Sequence, residues 1–146
     1  MKISTRTRYG VRALIDIGFH FNGQPIFIKD ISKRQNISKI YLEQIMLVLK
    51  NAGIVRSIRG TKGGFVLEKD PADLTMQEIV AILQGPISIV DCIINKKYCP
   101  KWSKCLTREL WIQVNNAIIN TLDSITLKQM IRKEKEIEKI FQMYEI

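Results

Sequence analysis

Apolar side chains recur at helical spacing through most of the chain and predict a mainly helical protein. Over residues 3–21, Leu14, Ile17, Gly18 and Phe21 fall on one side of a helix and should face a core. A Gly and a Pro follow within the next four residues, and these residue types end helices. The first predicted element is therefore one long amphipathic helix.

A tight turn at Asn36-Ile37 separates two further predicted helices. The first runs from about Lys29 to Gln35, after an apolar link at residues 26–28 that has strand character. The second begins after Ser38, whose hydroxyl can cap a free backbone N–H, and stops at Asn51. Its apolar stripe, which should face inward, consists of Leu42, Ile45, Met46 and Leu49.

Two β-prone segments follow the third helix. Residues Ile54–Ile58 and Gly64–Leu67 flank the Gly-rich turn Arg59–Gly63 and predict a β-hairpin. The helix, turn and helix within residues 29–52 have the length of a helix-turn-helix. A hairpin directly after such a motif is typical of a wing. The predicted fold is therefore a winged helix-turn-helix, mainly α with a small β-hairpin wing, plus a long C-terminal dimerisation helix.

The second half of the chain is also expected to be helical. Thr75 and Glu78 have the spacing of a capping box, and the helix that they start should end at Gln84. A long helix is predicted from about Thr107 to Ile125, and the charged stretch Arg132–Glu138 indicates a mostly exposed helix. The long helix carries an apolar seam with coiled-coil-like spacing, which is typical of helix pairing: Trp111, Val114, Ile118, Thr121 and Ile125.

These elements group into three expected regions. Residues 1–84 form a winged helix-turn-helix, residues 85–106 form a loop with the cysteines, and residues 107–146 form the dimerisation helix and the C-terminal tail. No apolar run is long enough for a membrane helix, and the N-terminal residues lack a signal-peptide pattern. We therefore expect a cytoplasmic protein with no membrane partner.

Positive charge is concentrated in the first half of the chain. The net charge is +9, with 13 Lys+Arg and 5 Asp+Glu in residues 1–70 but 10 and 9 in residues 71–146. A basic surplus confined to one predicted module favours a polyanionic partner, and a winged helix makes double-stranded DNA the expected one.

The helix-turn-helix geometry singles out candidate DNA contacts. The second helix of the motif enters the major groove with its N-terminal residues toward base edges. The candidates there are Ser38, Lys39, Ile40, Tyr41 and Gln44. The candidates for phosphate contacts are Lys33, Arg56, Arg59 and Lys62. Arg59 lies at the tip of the hairpin, from which an arginine can also enter a minor groove.

All three cysteines, Cys92, Cys99 and Cys105, lie in the loop-rich segment between the predicted helices. Such clustering is hard to explain as core filling. Thiolates are ligands of iron–sulfur clusters and of zinc, and nearby lysines favour thiolate over thiol. An iron–sulfur cluster, structural zinc, a thiol redox switch and a vestigial site all fit this pattern.

Several stretches of the sequence resemble a known bacterial family. They are Tyr9–Leu14, Ile37-Ser38, Tyr41–Ile45, Ala52–Gly60 and Gly63–Phe65. The family includes an iron–sulfur cluster regulator, a nitric-oxide-sensing repressor and a cysteine-metabolism repressor, and the sequence is most similar to the first type. The resemblance extends from residue 1 to about residue 130. It implies a dimer with a winged-helix DNA-binding domain that acts as a repressor or an activator.

The resemblance also implies roles for residues in the recognition helix. Ser38, Tyr41, Gln44 and Arg59 are implied as DNA contacts. Glu43 matches a position that discriminates between DNA sites in the family.

Ile40 departs from the family pattern, because the iron–sulfur regulator usually has a polar residue at this position. The sequence of the operator is therefore expected to differ.

The resemblance further implies a cofactor. Cluster-binding members carry three cysteines in this place, which implies Cys92, Cys99 and Cys105 as ligands of an iron–sulfur cluster, of the 2Fe–2S type. The fourth ligand is not assigned, and Glu109, Asp91, a solvent species or an external thiol are the alternatives. The histidine of the iron–sulfur regulator corresponds to Arg108, and the aspartate of the nitric-oxide sensor corresponds to Arg8, and arginine does not ligate iron.

We therefore expect a dimeric, sequence-specific DNA-binding transcription regulator that senses iron–sulfur cluster or redox status through its cysteines. The alternative is a cluster-free repressor of cysteine or sulfur metabolism, controlled by thiol chemistry or by a partner protein. A third class, an iron–sulfur or metal carrier, would need a complete ligand set and no basic DNA-reading head. An enzyme is not expected, because the sequence contains no catalytic carboxylate pair, phosphate loop or nucleophile motif.

Overall fold

A computed structural model describes residues 1–145 and confirms the winged-helix fold class. The helices are α1 (Thr5–His20), α2 (Ile28–Gln35), α3 (Lys39–Asn51), α4 (Met76–Gln84), α5 (Asp91–Ile94), α6 (Arg108–Asp123) and α7 (Leu127–Tyr144). The strands are β1 (Val55–Ile58) and β2 (Gly64–Leu67), and short 3₁₀ turns lie at Pro71–Asp73, Lys96–Tyr98 and Trp102–Lys104.

Side-chain hydroxyls cap the N-termini of four of these helices. Ser4 accepts a hydrogen bond from the backbone N–H of Thr7 in α1, and Ser38 accepts one from Tyr41 in α3. Thr75 accepts one from Glu78, as the expected capping box requires. The complete two-way box lies elsewhere, at the start of α7, and was not predicted.

That box joins Thr126 and Gln129. The Thr126 hydroxyl accepts from the Gln129 N–H, and the Gln129 side chain accepts from the Thr126 N–H. It fixes the start of α7 five residues before the predicted charged stretch.

One core lies between α1, the helix-turn-helix, α4 and the start of α7. Its centre contains Leu14, Ile17, Ile31, Leu42, Ile45, Leu49, Ile79 and Leu127, all with no exposed surface. Gly18 lets α7 approach α1 closely, because a Cβ at this position would lie 2.2 Å from Cδ1 of Ile131. The tail helix is therefore exposed along most of its length, as expected, but its first turns belong to the core.

The wing is a two-stranded antiparallel hairpin in which Val55 pairs with Leu67 and Ile58 pairs with Gly64. Reciprocal backbone hydrogen bonds of 2.9 and 2.8 Å join Ile26 to Phe65 and tie the hairpin to the segment before α2. The apolar link at residues 26–28 therefore forms a single bridge, and Ile28 already begins α2.

Two expectations about local structure were wrong. Phe21 was expected to face the core, but it follows the last residue of α1 and its side chain is 54% exposed. The long helix was expected to reach Ile125, but α6 ends at Asp123, and the backbone turns there to bring Leu127 into the core. None of the helices formed by residues 1–145 is long and apolar enough to cross a membrane.

Candidate nucleic-acid interface and cysteine segment

The corner of the helix-turn-helix is closed by hydrogen bonds around Asn36. Asn36 adopts a left-handed backbone conformation with φ of 54°, which asparagine tolerates better than most residues. Its N–H donates to the carbonyl of Ser32, and the Ser32 hydroxyl donates to the carbonyl of Ile37 at 2.5 Å. This compact turn fixes where α3 begins.

The N-terminal half of α3 presents most of its candidate residues to solvent. Ser38, Lys39, Glu43 and Gln44 are exposed. Tyr41 is only half-buried, so part of its ring lies against the protein.

Ile40, which departs from the family pattern, is the most exposed apolar side chain of α3, at 73%. An exposed aliphatic side chain at this position can contact a thymine methyl group but cannot donate a hydrogen bond to a base.

The wing supplies further positive charge. Arg59 and Lys62 are exposed in the turn between the strands. Arg56 differs, because its Nε lies 2.8 Å from a carboxylate oxygen of Glu68 across the hairpin. A phosphate contact by Arg56 would therefore compete with this surface ion pair.

One groove lies between the start of the helix-turn-helix and the wing. It is lined by Lys29, Lys39 and Arg59, together with exposed backbone at Gly60 and Thr61. The structure thus brings one candidate of α3 and one of the wing to a common concave surface. Lys33 is exposed on α2 but does not line this groove.

A polar network beneath the helix-turn-helix was missed by the sequence reasoning. Asp16 of α1 has a completely buried side chain, and it accepts hydrogen bonds from Arg34 at 2.6 and 3.0 Å and from Gln35 at 2.9 Å. The hydrogen bond with Asp16 is the main cause of a raised pKa of Arg34. A lone acid within the apolar run Ala13–Ile17 was the signal that could have revealed the network.

The chain's single histidine, His20, borders this network. Its Nδ1 lies 3.0 Å from the Asp16 carbonyl oxygen and 3.5 Å from a carboxylate oxygen of Asp16. His20 therefore makes local contacts at the end of α1.

Helix α6 leaves several apolar side chains exposed. Leu110, Trp111 and Val114 are 50%, 38% and 39% exposed. Two residues of the predicted seam, Trp111 and Val114, therefore have no full cover within one chain. Asn115, one turn after Trp111 in the same helix, is buried and hydrogen-bonded to the segment before the cysteines.

Cys92, Cys99 and Cys105 are free thiols, and each is partly buried. Among residues 1–145, no three Cys, His, Asp or Glu side chains come together in a set that could hold a metal ion. In this conformation the three thiols are therefore not gathered into one ligand set.

Arg108 stands at the position that matches the histidine of the iron–sulfur regulator. The Arg108 guanidinium lies 4.7 Å from the centre of the Trp102 ring and donates to the Trp102 carbonyl at 2.5 Å. Arg108 thus packs within the cysteine segment as a cation on an aromatic ring.

Cys105 has a distinct electrostatic environment. Its Sγ lies 3.5 Å from the Thr107 hydroxyl, and this hydrogen bond is the main cause of a lowered pKa of the Cys105 thiol. The backbone of Thr107 and the nearby Arg108 act in the same direction. Hydrogen bonding, rather than the nearby lysines named from the sequence, therefore favours the thiolate here.

Comparisons with known proteins agree with this architecture. A family model described as Rrf2, iron-dependent transcriptional regulator, matches residues 3–133. Protein rrf2 of Nitratidesulfovibrio vulgaris is 39% identical over 132 residues, which are 90% of this chain and 88% of that protein.

Two solved structures share the fold along nearly the whole chain. CymR, the global cysteine regulator of B. subtilis, matches with a TM-score of 0.77 and 38% identity, covering 91% of this chain and 98% of that one. IscR of T. potens matches with a TM-score of 0.76 and 35% identity, covering 94% and 90%. The chain belongs to the Rrf2 family of winged-helix transcriptional regulators, which are not enzymes.

Proposed function

We propose that the chain is a dimeric, sequence-specific DNA-binding regulator that reads its operator with α3 and the wing. One observation carries the proposal: Lys39 at the start of α3 and Arg59 at the wing tip line the same groove. A duplex that receives α3 in its major groove would meet Lys39 near base edges and Arg59 near a phosphate or the minor groove at the same time.

The remaining candidates divide by position. Ser38, Glu43 and Gln44 are exposed on α3, where they can approach base edges in the major groove. Lys33 and Lys62 are exposed on the flanks and suit phosphates. Tyr41 and Arg56 keep protein contacts as well, so we assign them smaller direct roles in DNA binding.

Arg59→Ala tests the proposed interface. The test uses a duplex that the wild-type protein selects from a randomised pool, with binding measured at several salt concentrations. Each lost phosphate contact should reduce the slope of log K against log salt by about 0.9, hence about 1.8 for the two copies in a dimer. Arg132→Ala, an equal charge change on an exposed position of α7, is the control. Equal binding by the two variants at every salt concentration would refute the interface.

The dimer is proposed from the exposed apolar residues of α6. Val114→Glu places a charge in the predicted seam, whereas Gln113→Glu places the same charge on an adjacent exposed position. Sedimentation equilibrium should give a monomer for Val114→Glu and a dimer for the wild type and Gln113→Glu. A monomeric wild type would overturn the dimer.

For the cysteine segment, in the conformation described above, we propose that DNA binding is controlled by the chemistry of the thiols or by a partner protein. The supporting observations are the three free thiols, their separation and the lowered pKa of Cys105.

Ligation of a 2Fe–2S cluster by Cys92, Cys99 and Cys105 stays a prediction from the sequence. Iron and sulfide analysis after anaerobic purification tests it directly. If the protein contains stoichiometric iron and sulfide, and each Cys→Ala variant loses them, cluster sensing replaces thiol control as the proposed mechanism. Colourless, iron-free protein would exclude the cluster. The cytoplasmic location likewise stays a prediction from the sequence.

A further inference from the structure

Three residues of α1 form a stripe directly behind the helix-turn-helix. Tyr9, Arg12 and Asp16 are spaced by three and four residues, so their side chains project from the same side of the helix. We call them the α1 stripe. Each contacts α2, α3 or another member of the stripe.

The stripe holds the last turn of α2 at two points. Asp16 accepts from Arg34 and Gln35, as described above. Arg12 donates from Nε to the Gln35 side-chain oxygen at 3.2 Å and from its terminal nitrogen to the Gln35 carbonyl. Gln35 is the residue immediately before the left-handed Asn36, so the stripe holds the corner of the motif.

The stripe also supports the first turn of α3. The rings of Tyr9 and Tyr41 meet edge to face, with centroids 6.0 Å apart and an interplanar angle of 74°. The Arg12 guanidinium lies 5.3 Å from the centre of the Tyr9 ring. Arg12 thus joins the two contacts, because it bonds the end of α2 and covers the ring that supports the start of α3.

We propose that the α1 stripe sets the position of α3 relative to the rest of the domain and thereby determines how well the protein discriminates between DNA sequences. Arg12 acts in this role as a positioning residue, not as a phosphate contact. The inference rests on the proposed DNA-binding function and adds α1 to the parts that determine specificity.

The alternative for Arg12 is the ordinary one for an exposed arginine in a basic module. A phosphate contact depends on charge, tolerates lysine and contributes to the salt dependence of all DNA binding. A positioning role depends on the planar, multiply bonding guanidinium, which lysine cannot replace. Loss of a positioning residue changes the ratio of specific to non-specific affinity for DNA, because only base contacts need an accurately placed α3.

Arg12→Lys separates these two roles, and the change leaves the core intact because Arg12 is exposed. Affinities are measured for the duplex selected by the wild type and for a scrambled duplex, across several salt concentrations. We expect the specific to non-specific ratio to fall about fivefold or more, with an unchanged salt slope. An unchanged ratio would overturn the positioning role, because a phosphate contact tolerates lysine.

Tyr9 provides an independent test of the same inference. No hydrogen bond of the Tyr9 hydroxyl is found within residues 1–145, so Tyr9→Phe should keep the ratio of the wild type. Tyr9→Leu keeps apolar bulk but removes the aromatic contacts with Tyr41 and Arg12, and it should lower the ratio as Arg12→Lys does. Similar ratios for the Phe and Leu variants would contradict the proposal.

Failure of the proposed function is distinguishable from failure of this inference. If the wild type does not prefer its selected duplex over the scrambled one, the DNA-reading function itself fails. If the wild type discriminates and both Arg12→Lys and Tyr9→Leu discriminate equally well, only the role of the α1 stripe is refuted.

Discussion

Asn115 is expected to fasten the segment before the cysteines to α6. Its side chain lies in the middle of α6 and is 3% exposed. The Nδ2 group donates to the Ile87 carbonyl at 3.2 Å, and Oδ1 accepts from the Ile89 N–H at 3.0 Å. Asn115→Ala removes both bonds and leaves two backbone groups without these partners.

The cost can be estimated from the burial of these groups. Leaving a buried donor or acceptor unsatisfied costs about 1–3 kcal/mol. Ile87 is nearly buried, but Ile89 is half-buried, so water can partly replace the second bond. The free energy of unfolding should therefore fall by about 2–4 kcal/mol, which corresponds to a decrease in Tm of roughly 5–12 °C.

Asn116 offers a matched control, because it is exposed on the same helix. Asn116→Ala should change the free energy of unfolding by less than about 0.5 kcal/mol. Urea unfolding of both variants at one protein concentration measures the difference, since the proposed dimerisation would make stability depend on concentration. Hydrogen exchange should show faster exchange of the Ile89 amide in Asn115→Ala alone. Equal stabilities of the two variants would refute the fastening role.

Three further predictions follow from single contacts. Asp16→Ala should lower the free energy of unfolding by about 2–3 kcal/mol in urea, less than for a fully buried pair because its arginine partner is partly exposed. Gly18→Ala should cost about 1–2 kcal/mol because of its 2.2 Å approach to Ile131, and a double-mutant cycle with Ile131→Ala should remove that cost. In metal-free protein whose other cysteines are serine, Cys105 should be alkylated at lower pH than an ordinary thiol, since its lowered pKa gives thiolate at lower pH. Thr107→Ala should move that alkylation profile to higher pH, and an unmoved profile would contradict the hydrogen-bond explanation.

The sequence predicted those parts of the fold that are encoded locally. Helical periodicity, the Ser38 cap and the Gly-rich turn between β-prone segments act within a few residues, so the winged helix could be predicted from them. The return of α7 to α1 could not be predicted in this way. It depends on Leu127 and Ile131 meeting α1 more than a hundred residues away, and both lie at the edge of a highly charged stretch.

The exposure of several candidate DNA contacts could be predicted from the sequence, because they lie outside the apolar stripe of α3 or in the turn of the hairpin. Lys39, Gln44 and Arg59 are exposed as a DNA-reading surface requires. The supporting contacts of Tyr41 were not predictable, because an aromatic residue at the start of a helix can face either DNA or the protein. The relative positions of the cysteine side chains also could not be predicted from the sequence, because spacing along an irregular segment does not fix the directions of the sulfurs.

The contacts of α1 connect the helix-turn-helix with the helices that hold the cysteine segment. The cysteine segment is bonded to α6 by Asn115, and α6 packs on α4. Gln84 at the end of α4 accepts hydrogen bonds from the Ser4 N–H and the Thr7 hydroxyl at the start of α1. The α1 stripe then contacts the helix-turn-helix.

A contiguous series of contacts therefore leads from the cysteine segment to the proposed DNA-reading surface within one chain. Such a series permits coupling but does not by itself carry it, because coupling needs an element with two arrangements that both sites influence. Asn115 forms the junction in this series at which irregular backbone, at Ile87 and Ile89, is bonded to α6. A conformational change around the cysteines would reach α3 through this junction only if α6, α4 and α1 moved together as packed helices. In that case the hydrogen bonds that stabilise the fold would also transmit the change.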